Sequence, residues 1–438
     1  MGSGLPMSGS KSLSEFAIER KPCSLTFHDW TLPPTLCSFK MTVPMAATTS
    51  VASRTSKGTG LLALLAAGFA LTGIPTVIIG PILPLFISRW SLSDTQAGLF
   101  FTVQFMAALC GVWIATGLTS WRGYRSSLMV GYMITGAGLA MLNAPTHVLA
   151  LVATAAFGVG YGMVVPPTNL SAAEAGGAGM VSLLNFAWGI GAVGCSPLIL
   201  LALRNHFLSA FLWMVAFCAF VLAVCFFFVS FPHEGPAAPA AESTSGPARE
   251  PALAITIAIS ALFFFYVGTE TSIGGWAAEE TKRLVGHATS LTTTAPLFFY
   301  AGPMLGRGVV PLILKRTGEL RVVLMAIGLV SLGVGLILAA RSPRTAIEGF
   351  AISGLGCSSI YPIYIAWFSR WYGAAARRLG GVVFSMASLG AAAMPWLVGF
   401  VSTQTRSLRV GLLVPLVECF VMLGLLAILR RKRLRFVG

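Results

Sequence analysis

Residues 252–276 read ALAITIAISALFFFYVGTETSIGGW, a run long and apolar enough to span a bilayer that nevertheless carries a carboxylate, Glu270. A transmembrane helix needs about 20 predominantly apolar residues. A charged side chain in hydrocarbon costs at least about 2.5 kcal/mol, so Glu270 needs either a function or a solvated position. A phenol (Tyr266), hydroxyls, three glycines and an indole (Trp276) surround it, and such groups can line a small polar cavity. The alternative is a helix end where Glu270 already lies among lipid headgroups.

Apolar segments of this kind recur along the whole chain. Of its 438 residues 56% are hydrophobic and only 10% are charged, against about 25% charged in soluble domains. The third segment is short and needs its flanks to cross. The segments are 61–88, 96–118, 127–143, 148–169, 178–203, 208–231, 252–275, 289–314, 322–340, 346–368, 379–402 and 410–429. The sequence therefore predicts an all-α polytopic membrane protein with twelve transmembrane helices.

The net charge of +15 follows from membrane topology rather than from nucleic-acid binding. With the N-terminus in the cytoplasm, 20 of the 29 Lys and Arg residues fall on the cytoplasmic side and eight on the outer side. This asymmetry is the positive-inside bias. The basic run Arg430-Arg431-Lys432-Arg433 fits the surface of anionic lipid. We predict a multi-pass protein of the inner (plasma) membrane with both termini cytoplasmic, whose partners include membrane lipid but no nucleic acid.

This topology can be tested by cysteine labelling. A cysteine replacing Ser243 in a cysteine-free background should resist an impermeant maleimide in intact cells and react after lysis, because it would lie in the cytoplasm. Labelling in intact cells would invert the topology.

No feature of the sequence indicates a cofactor, a metal or an enzyme. The eight cysteines are scattered, and none forms a CxxC pair or lies near a histidine at ligand spacing. No phosphate-binding loop or nucleophile motif occurs, so neither ATP drive nor covalent chemistry is predicted.

The chain divides into two halves with the same pattern. Residues 1–57 are polar and predicted as a disordered cytoplasmic tail, without the features of a signal peptide. Glycines and prolines in the segments after the linker repeat those before it at offsets of 195 to 198, for example Gly73 with Gly268 and Pro166 with Pro362. Six crossings return the chain to the same side, so the repeat is parallel. The predicted parts are a six-helix bundle at 58–231, a cytoplasmic linker at 232–250, a second bundle at 251–432 and a basic tail at 433–438.

Four motifs carry a family resemblance over residues 58–432. They are Tyr266-Val267-Gly268-x-Glu270 with Trp276, Gly158-x-Gly160-x-Gly162-x-x-x-Pro166 followed by Thr168-Asn169-Leu170, Ser182-Leu183-Leu184-Asn185-Phe186, and Gly302-x-x-x-Gly306-Arg307 with Lys315-Arg316-x-Gly318. With twelve helices in two halves, the chain resembles the major facilitator superfamily, closest to its fucose:proton symporter and hexose-transporting branch. The resemblance implies that helices one, four, seven and ten line a central cavity, and that helices three, six, nine and twelve face lipid.

The sequence departs from the family pattern in two places. The loop between helices two and three has Ser120 where the family usually has aspartate, with its arginines displaced to Arg122 and Arg125. We interpret these two arginines as gating residues of a weakened gate. Segments one and four also lack the acid found in proton symporters of this branch, so proton coupling, if present, should fall on Glu270.

Ten residues are candidates for substrate binding. Amide, phenol and indole groups suit the hydroxyls and rings of sugars, but the same groups can serve as interhelical hydrogen bonds, as packing or as an interfacial belt. The candidates are Gln104, Tyr161, Asn169, Asn185, Trp188, Tyr266, Glu270, Trp276, Tyr361 and Tyr364.

Two charged residues in apolar segments are harder to assign. We interpret Arg307 as a gate or a snorkelling residue at the cytoplasmic end of helix eight, rather than as a substrate ligand. Glu418 lies in the middle of helix twelve, which should face lipid. It turns inward, stays protonated or marks an oligomer contact, and the sequence leaves these three alternatives open.

These observations predict a secondary active transporter that moves a small polar solute, a sugar first of all, by alternating access. It is expected to act as a monomer; protons are one candidate coupling partner, and the sequence leaves the coupling ion open. A rival function is proton-coupled efflux of amphiphilic or cationic compounds, which a single buried acid also allows. A receptor or scaffold would need a folded domain outside the membrane, and the chain offers only a tail and a linker.

Overall fold

A computed structural model describes residues 48–229, 231, 253–314, 316–372 and 376–431. The predicted linker and the predicted basic tail lie outside these residues. The helices are α1 (Thr48–Val77), α2 (Ile79–Trp90), α3 (Asp94–Met141), α4 (His147–Arg204), α5 (Leu208–Phe228), α6 (Leu253–Val285), α7 (Ser290–Leu314), α8 (Glu319–Ala339), α9 (Pro343–Tyr372), α10 (Ala376–Thr405), α11 (Leu408–Gly411) and α12 (Leu413–Arg431). Helix α1 begins at Thr48, ten residues before the predicted start of the first bundle at residue 58.

The helices have the lengths that a membrane requires. Ten helical stretches among the described residues are long and apolar enough to cross a membrane. One of them, α3, has 48 residues, which at 1.5 Å per residue is about 72 Å, more than twice the hydrocarbon thickness of about 30 Å. It therefore supplies two crossings, and the 25-residue α7 is long enough for another. Each of the twelve predicted segments overlaps a helix in the described part of the chain, and the prediction of an all-α polytopic membrane protein is confirmed.

The first predicted segment is broken, as its prolines suggest. Pro75 lies in the last turn of α1, and the helix stops at Val77 before restarting at Ile79. Proline removes a backbone donor and clashes with the preceding turn, so a helix bends or breaks there. The break leaves backbone carbonyl groups at the end of α1 without helical donors, inside the first predicted segment. Other donors can therefore bind them.

Helix α3 reverses its direction at Gly123. This glycine has φ 79°, in the left-handed region that glycine adopts without strain. On one side of the kink Gly111 packs against the backbone of Val159 and Gly162, and on the other side Gly131 packs against Gly160. Both arms of α3 therefore flank the same turn of α4.

The predicted internal repeat is present in the helix contacts. In the first half, Gly158 packs against the carbonyl group of Gln104, and in the second half Gly354 packs against that of Phe299. These pairs correspond at offsets of 196 and 195. The contact of Gly191 with Ala70 likewise matches that of Gly390 with Phe264. Small residues let helix backbones approach closely, so the glycines repeated in the sequence are the residues that build two equivalent bundles.

The helices predicted to face lipid expose apolar side chains. Trp213, Phe217 and Phe228 of α5 are exposed, as are Met325 and Leu332 of α8. Exposed apolar surface of this extent suits hydrocarbon rather than water.

Candidate functional site

A charged pair lies in the interior between the two halves. Glu270 is near the middle of α6, which continues to Val285, so the alternative of a helix end does not hold. Its half-buried carboxyl group interacts with the guanidinium group of Arg307 from α7 and with the phenol of Tyr266, one turn earlier on α6. The Nη1 atom of Arg307 is buried and has no hydrogen-bond partner among the described residues. The two groups lie within electrostatic range of each other inside a membrane-spanning bundle, where a charged group without a partner would be costly.

Side chains of α4 and α1, in the first half, pack against Arg307 and Glu270. The guanidinium group of Arg307 lies over the indole of Trp188, 5.6 Å from the ring centroid, which is a cation–π distance. The indole Nε1 donates to the hydroxyl of Thr76 at 3.3 Å. The phenol of Tyr161 also shares a hydrogen bond with Thr76 and lies within electrostatic range of Glu270 and Arg307.

Further phenols complete the cluster on the second half. The hydroxyl of Tyr266 donates to the carbonyl oxygen of Cys357 at 3.0 Å. The ring of Tyr361, on α9, lies 6.0 Å from the ring of Tyr266 and within electrostatic range of Arg307. We call the residues that meet here the central cluster: Thr76, Tyr161, Trp188, Tyr266, Glu270, Arg307 and Tyr361.

Gln104 binds the end of α1 next to the central cluster. Its side-chain Nε2 donates to the carbonyl oxygens of Pro75 at 3.1 Å and Thr76 at 3.0 Å. These are carbonyl groups that the break between α1 and α2 leaves without a helical donor. The donor end of the Gln104 amide is therefore used to hold α1 in place beside Thr76.

Four predicted binding residues form their hydrogen bonds elsewhere, although the ring of Tyr364 packs edge-on against the ring of Tyr266, with 6.1 Å between centroids. The indole of Trp276 donates to the carbonyl oxygen of Pro395 at 2.9 Å, and the hydroxyl of Tyr364 points to the sulfur of Met422 at 3.8 Å. The side-chain amides of Asn169 and Asn185 each donate to a carbonyl oxygen one turn back on their own helix, at 3.0 and 2.8 Å. No contact in the described part of the chain ties these four side chains to Glu270 or Arg307.

The predicted gating arginines fall in different places. Arg122 lies over the ring of Trp121, 4.2 Å from its centroid, and both are exposed. Arg125 donates to the carbonyl oxygen of Phe227, so both arginines make these contacts within the first half. Arg307 was expected at a helix end, but its position beside Trp188 and Glu270 makes it part of the central cluster.

Sequence reasoning missed a polar junction that joins the halves at one end of the bundle. Asp94, in the first turn of α3, accepts two hydrogen bonds from Arg283 in the last turn of α6, one of them 3.0 Å long. Glu279 accepts from the same guanidinium group at 2.9 Å, and Ser402 of α10 donates to Asp94. We call these four residues the Asp94 latch. From sequence Asp94 and Arg283 look like ordinary charges at helix ends, where acids favour the start and bases the end.

The halves are tightly packed on both sides of the latch. The hydroxyl of Thr403 accepts from the backbone N–H of Thr95 at 2.9 Å, and Thr102 donates to the carbonyl oxygen of Ala392 at 2.8 Å. A Cβ added to Gly98 would lie 2.8 Å from the backbone of Trp396. This end of the bundle is closed. Glu270 lies 13 residues before Arg283 on α6, about 20 Å deeper along the helix axis.

Comparison with known proteins shows the fold but no close relative. No model of a known protein family matches the sequence, and no curated protein matches it. A crystal structure of the E. coli fucose:proton symporter matches with a TM-score of 0.58 at 16% identity, over 84% of this chain and 98% of that one. The nucleoside transporter NupG matches with a TM-score of 0.67 at 14% identity, over 85% and 99%.

A third match is the xylose transporter of E. coli in an inward open conformation, with a TM-score of 0.66 at 12% identity, over 87% of this chain and 96% of that one. In its outward conformation the fucose symporter, a major facilitator superfamily transporter, matches with a TM-score of 0.56 at 14% identity, over 85% and 99%. These identities are low, but each likeness covers at least 84% of this chain. The protein therefore has the fold of the major facilitator superfamily transporters.

Proposed function

We propose that this protein is a secondary transporter that moves a small neutral polar solute, of the class of sugars, across the membrane by alternating access. The observation that carries the proposal is the central cluster, in which Glu270 and Arg307 of one half meet Trp188 and Tyr161 of the other. A solute bound there contacts both halves, so its binding can change the orientation of one half relative to the other. The Asp94 latch closes one end of the path to the cluster.

The chemistry of the cluster favours a neutral, hydroxyl-rich solute. Phenols and the Glu270–Arg307 pair offer donors and acceptors for several hydroxyl groups, and the indole of Trp188 offers an apolar face for a sugar ring. A site built to hydrogen-bond hydroxyl groups rejects analogues that lack them, because its own polar groups are then left unpaired. Efflux of cationic compounds is less well supported, since Arg307 offsets the acid that would attract a cation.

Proton coupling would act through the same pair. When Glu270 is ionised, it neutralises Arg307, and when it takes up a proton, the guanidinium group is released to bind a hydroxyl oxygen of the solute. The proton and the solute thus favour the same state of the cluster. A ligand shifts a conformational equilibrium only by its difference in affinity for the two states, and this exchange of partners supplies such a difference.

The proposal can be tested with purified protein in proteoliposomes. Uptake from a panel of labelled neutral monosaccharides is measured with and without an imposed pH gradient, and protein-free liposomes serve as the control. We expect saturable uptake of at least one sugar and accumulation above equilibrium only with the gradient. Uptake of cationic dyes with no sugar uptake would overturn the proposed solute class.

Trp188→Ala is expected to raise the half-saturating sugar concentration about threefold to tenfold. Aromatic contacts contribute about 0.5–1.5 kcal/mol beyond buried area, and 1.4 kcal/mol is a factor of ten in affinity. Asn185→Ala is the matched control, because Asn185 lies one turn away on α4 with its amide bonded to Val181. If both variants transport normally per molecule, Trp188 is a packing residue and does not touch the solute.

A further inference from the structure

A second buried carboxyl group lies behind the central cluster. Glu418, in the second turn of α12, is only 2% exposed. Its Oε2 atom accepts a hydrogen bond of 2.6 Å from the hydroxyl of Thr269 on α6, and its Oε1 atom has no hydrogen-bond partner among the described residues. The side chain thus points into the bundle, while its neighbours Val417 and Phe420 are exposed. Glu418 therefore faces neither lipid nor another copy of the chain.

In the described part of the chain, no basic side chain is hydrogen-bonded or ion-paired to this carboxyl group. Gly268 leaves room for it on α6, since an added Cβ would lie 3.2 Å from Oε1 and would clash with Met394 of α10. Cys419, the next residue on α12, is linked by a hydrogen bond to Ser331 of α8. On α11 the nearby base, Arg409, is committed to Glu280 at 3.3 Å. Thr269 donates a hydrogen bond to Glu418. In the described part of the chain, Glu418 forms no ion pair.

These surroundings decide which ligand the carboxyl group can take. An ionised carboxylate buried with one neutral donor costs several kcal/mol, so a neutral acid is favoured in this closed state. A metal cation would need six or more oxygen ligands for Ca²⁺ or Mg²⁺, and no group of three His, Cys, Asp or Glu residues that could hold a metal occurs among the described residues. The ligand that matches a single carboxyl group and a hydroxyl group is a proton.

Glu418 contacts a different side of α6 from the side on which Glu270 lies. Thr269, which bonds Glu418, precedes Glu270 by one residue, and neighbouring residues of an α-helix point about 100° apart. Glu270 interacts with Arg307 and Tyr266, and Glu418 interacts with Thr269. Helix α6, which carries Glu270, is thus also hydrogen-bonded to a carboxyl group of α12 on another of its sides.

We propose that Glu418 is a second proton-binding site, which holds α6 against α12 through Thr269 when loaded. A hydronium ion gives its proton to the carboxylate and leaves water, and the reverse step returns the proton when the two helices part and water reaches the carboxyl group. The use of this proton in transport rests on the proposed function, whereas its binding does not.

Infrared spectroscopy of the protein in lipid vesicles tests the binding without any substrate. A neutral carboxylic acid gives a C=O stretching band above the amide I region, and the band moves to lower wavenumber when its proton exchanges for deuterium. We expect a band of this kind that is lost in Glu418→Gln, kept in Glu270→Gln and shifted in D₂O. Thr269→Val should move it to higher wavenumber by removing the hydrogen bond, and Thr269→Ser should restore it.

Each other result overturns the proposal. If Glu418→Gln removes no band, the carboxyl group is ionised, and if the band never responds to D₂O, the proton is a fixed part of the structure. Should Glu418→Gln fail to reach the membrane, the Thr269→Val and Thr269→Ser pair still decides, because a band insensitive to both cannot belong to Glu418. If the protein transports no sugar but shows the exchanging band, the proposed transport function is overturned, and the proposed proton-binding site at Glu418 is retained.

Discussion

Glu270→Gln is expected to abolish gradient-driven accumulation of the solute while preserving its binding and passive exchange. Glutamine keeps the size of the side chain and most of its hydrogen bonding but cannot take up or release a proton. Arg307 then never changes partners, so the link between proton and solute is lost. The measurements are uptake of labelled sugar with a pH gradient, and counterflow exchange without one, in proteoliposomes that contain equal amounts of protein.

Glu348→Gln is the matched control for Glu270→Gln. Glu348→Gln removes an acid of the same type that is exposed and paired with Arg344, so this variant should accumulate solute like the parent protein. If Glu270→Gln also accumulates normally, Glu270 is not the coupling group. If it loses binding together with accumulation, the carboxylate is a direct ligand of the solute, and proton coupling must reside elsewhere.

Asp94→Asn is expected to open the closed end of the bundle. The substitution leaves Arg283 without its charged partner across the halves and weakens the bond from Ser402. Hydrogen bonds to charged groups contribute about 1.5–3 kcal/mol, and less where solvent reaches the pair. Since the side chain of Arg283 is 35% exposed, we expect the lower part of that range, which corresponds to about a tenfold change in the open population.

Cysteine labelling reports this opening. Ala392 is 2% exposed and is covered by α3 across the junction, so a cysteine there in a cysteine-free background should react about ten times faster with maleimide after Asp94→Asn. Exchanging the charges, Asp94→Arg with Arg283→Asp, should restore part of the protection. The restoration is incomplete because the start of α3 favours an acid. Unchanged labelling in Asp94→Asn would show that apolar packing alone closes this end.

Much of the fold follows from composition and periodicity. Hydrocarbon forces each crossing to satisfy its backbone hydrogen bonds within a helix, so apolar runs of sufficient length report the helices directly. The glycines repeated at offsets near 195 report the two bundles, because close helix contacts need small residues at equivalent places. The break after Pro75 follows from the chemistry of proline. Helix ends follow less directly: Glu270 lies near the end of its apolar run, yet α6 continues for fifteen residues beyond it, to Val285.

The sequence by itself determined a membrane-embedded, two-bundle protein, and it singled out Glu270, Tyr266 and Trp188 because polar groups in apolar runs are costly without partners. Only the tertiary structure decided who the partners are. Arg307 meets Glu270, Glu418 turns to Thr269, and Asp94 joins Arg283 across 189 residues of chain. Hydropathy gives the depth of a residue but not the direction in which it points. That direction is set by the rotation and packing of helices from both halves, which no single segment encodes.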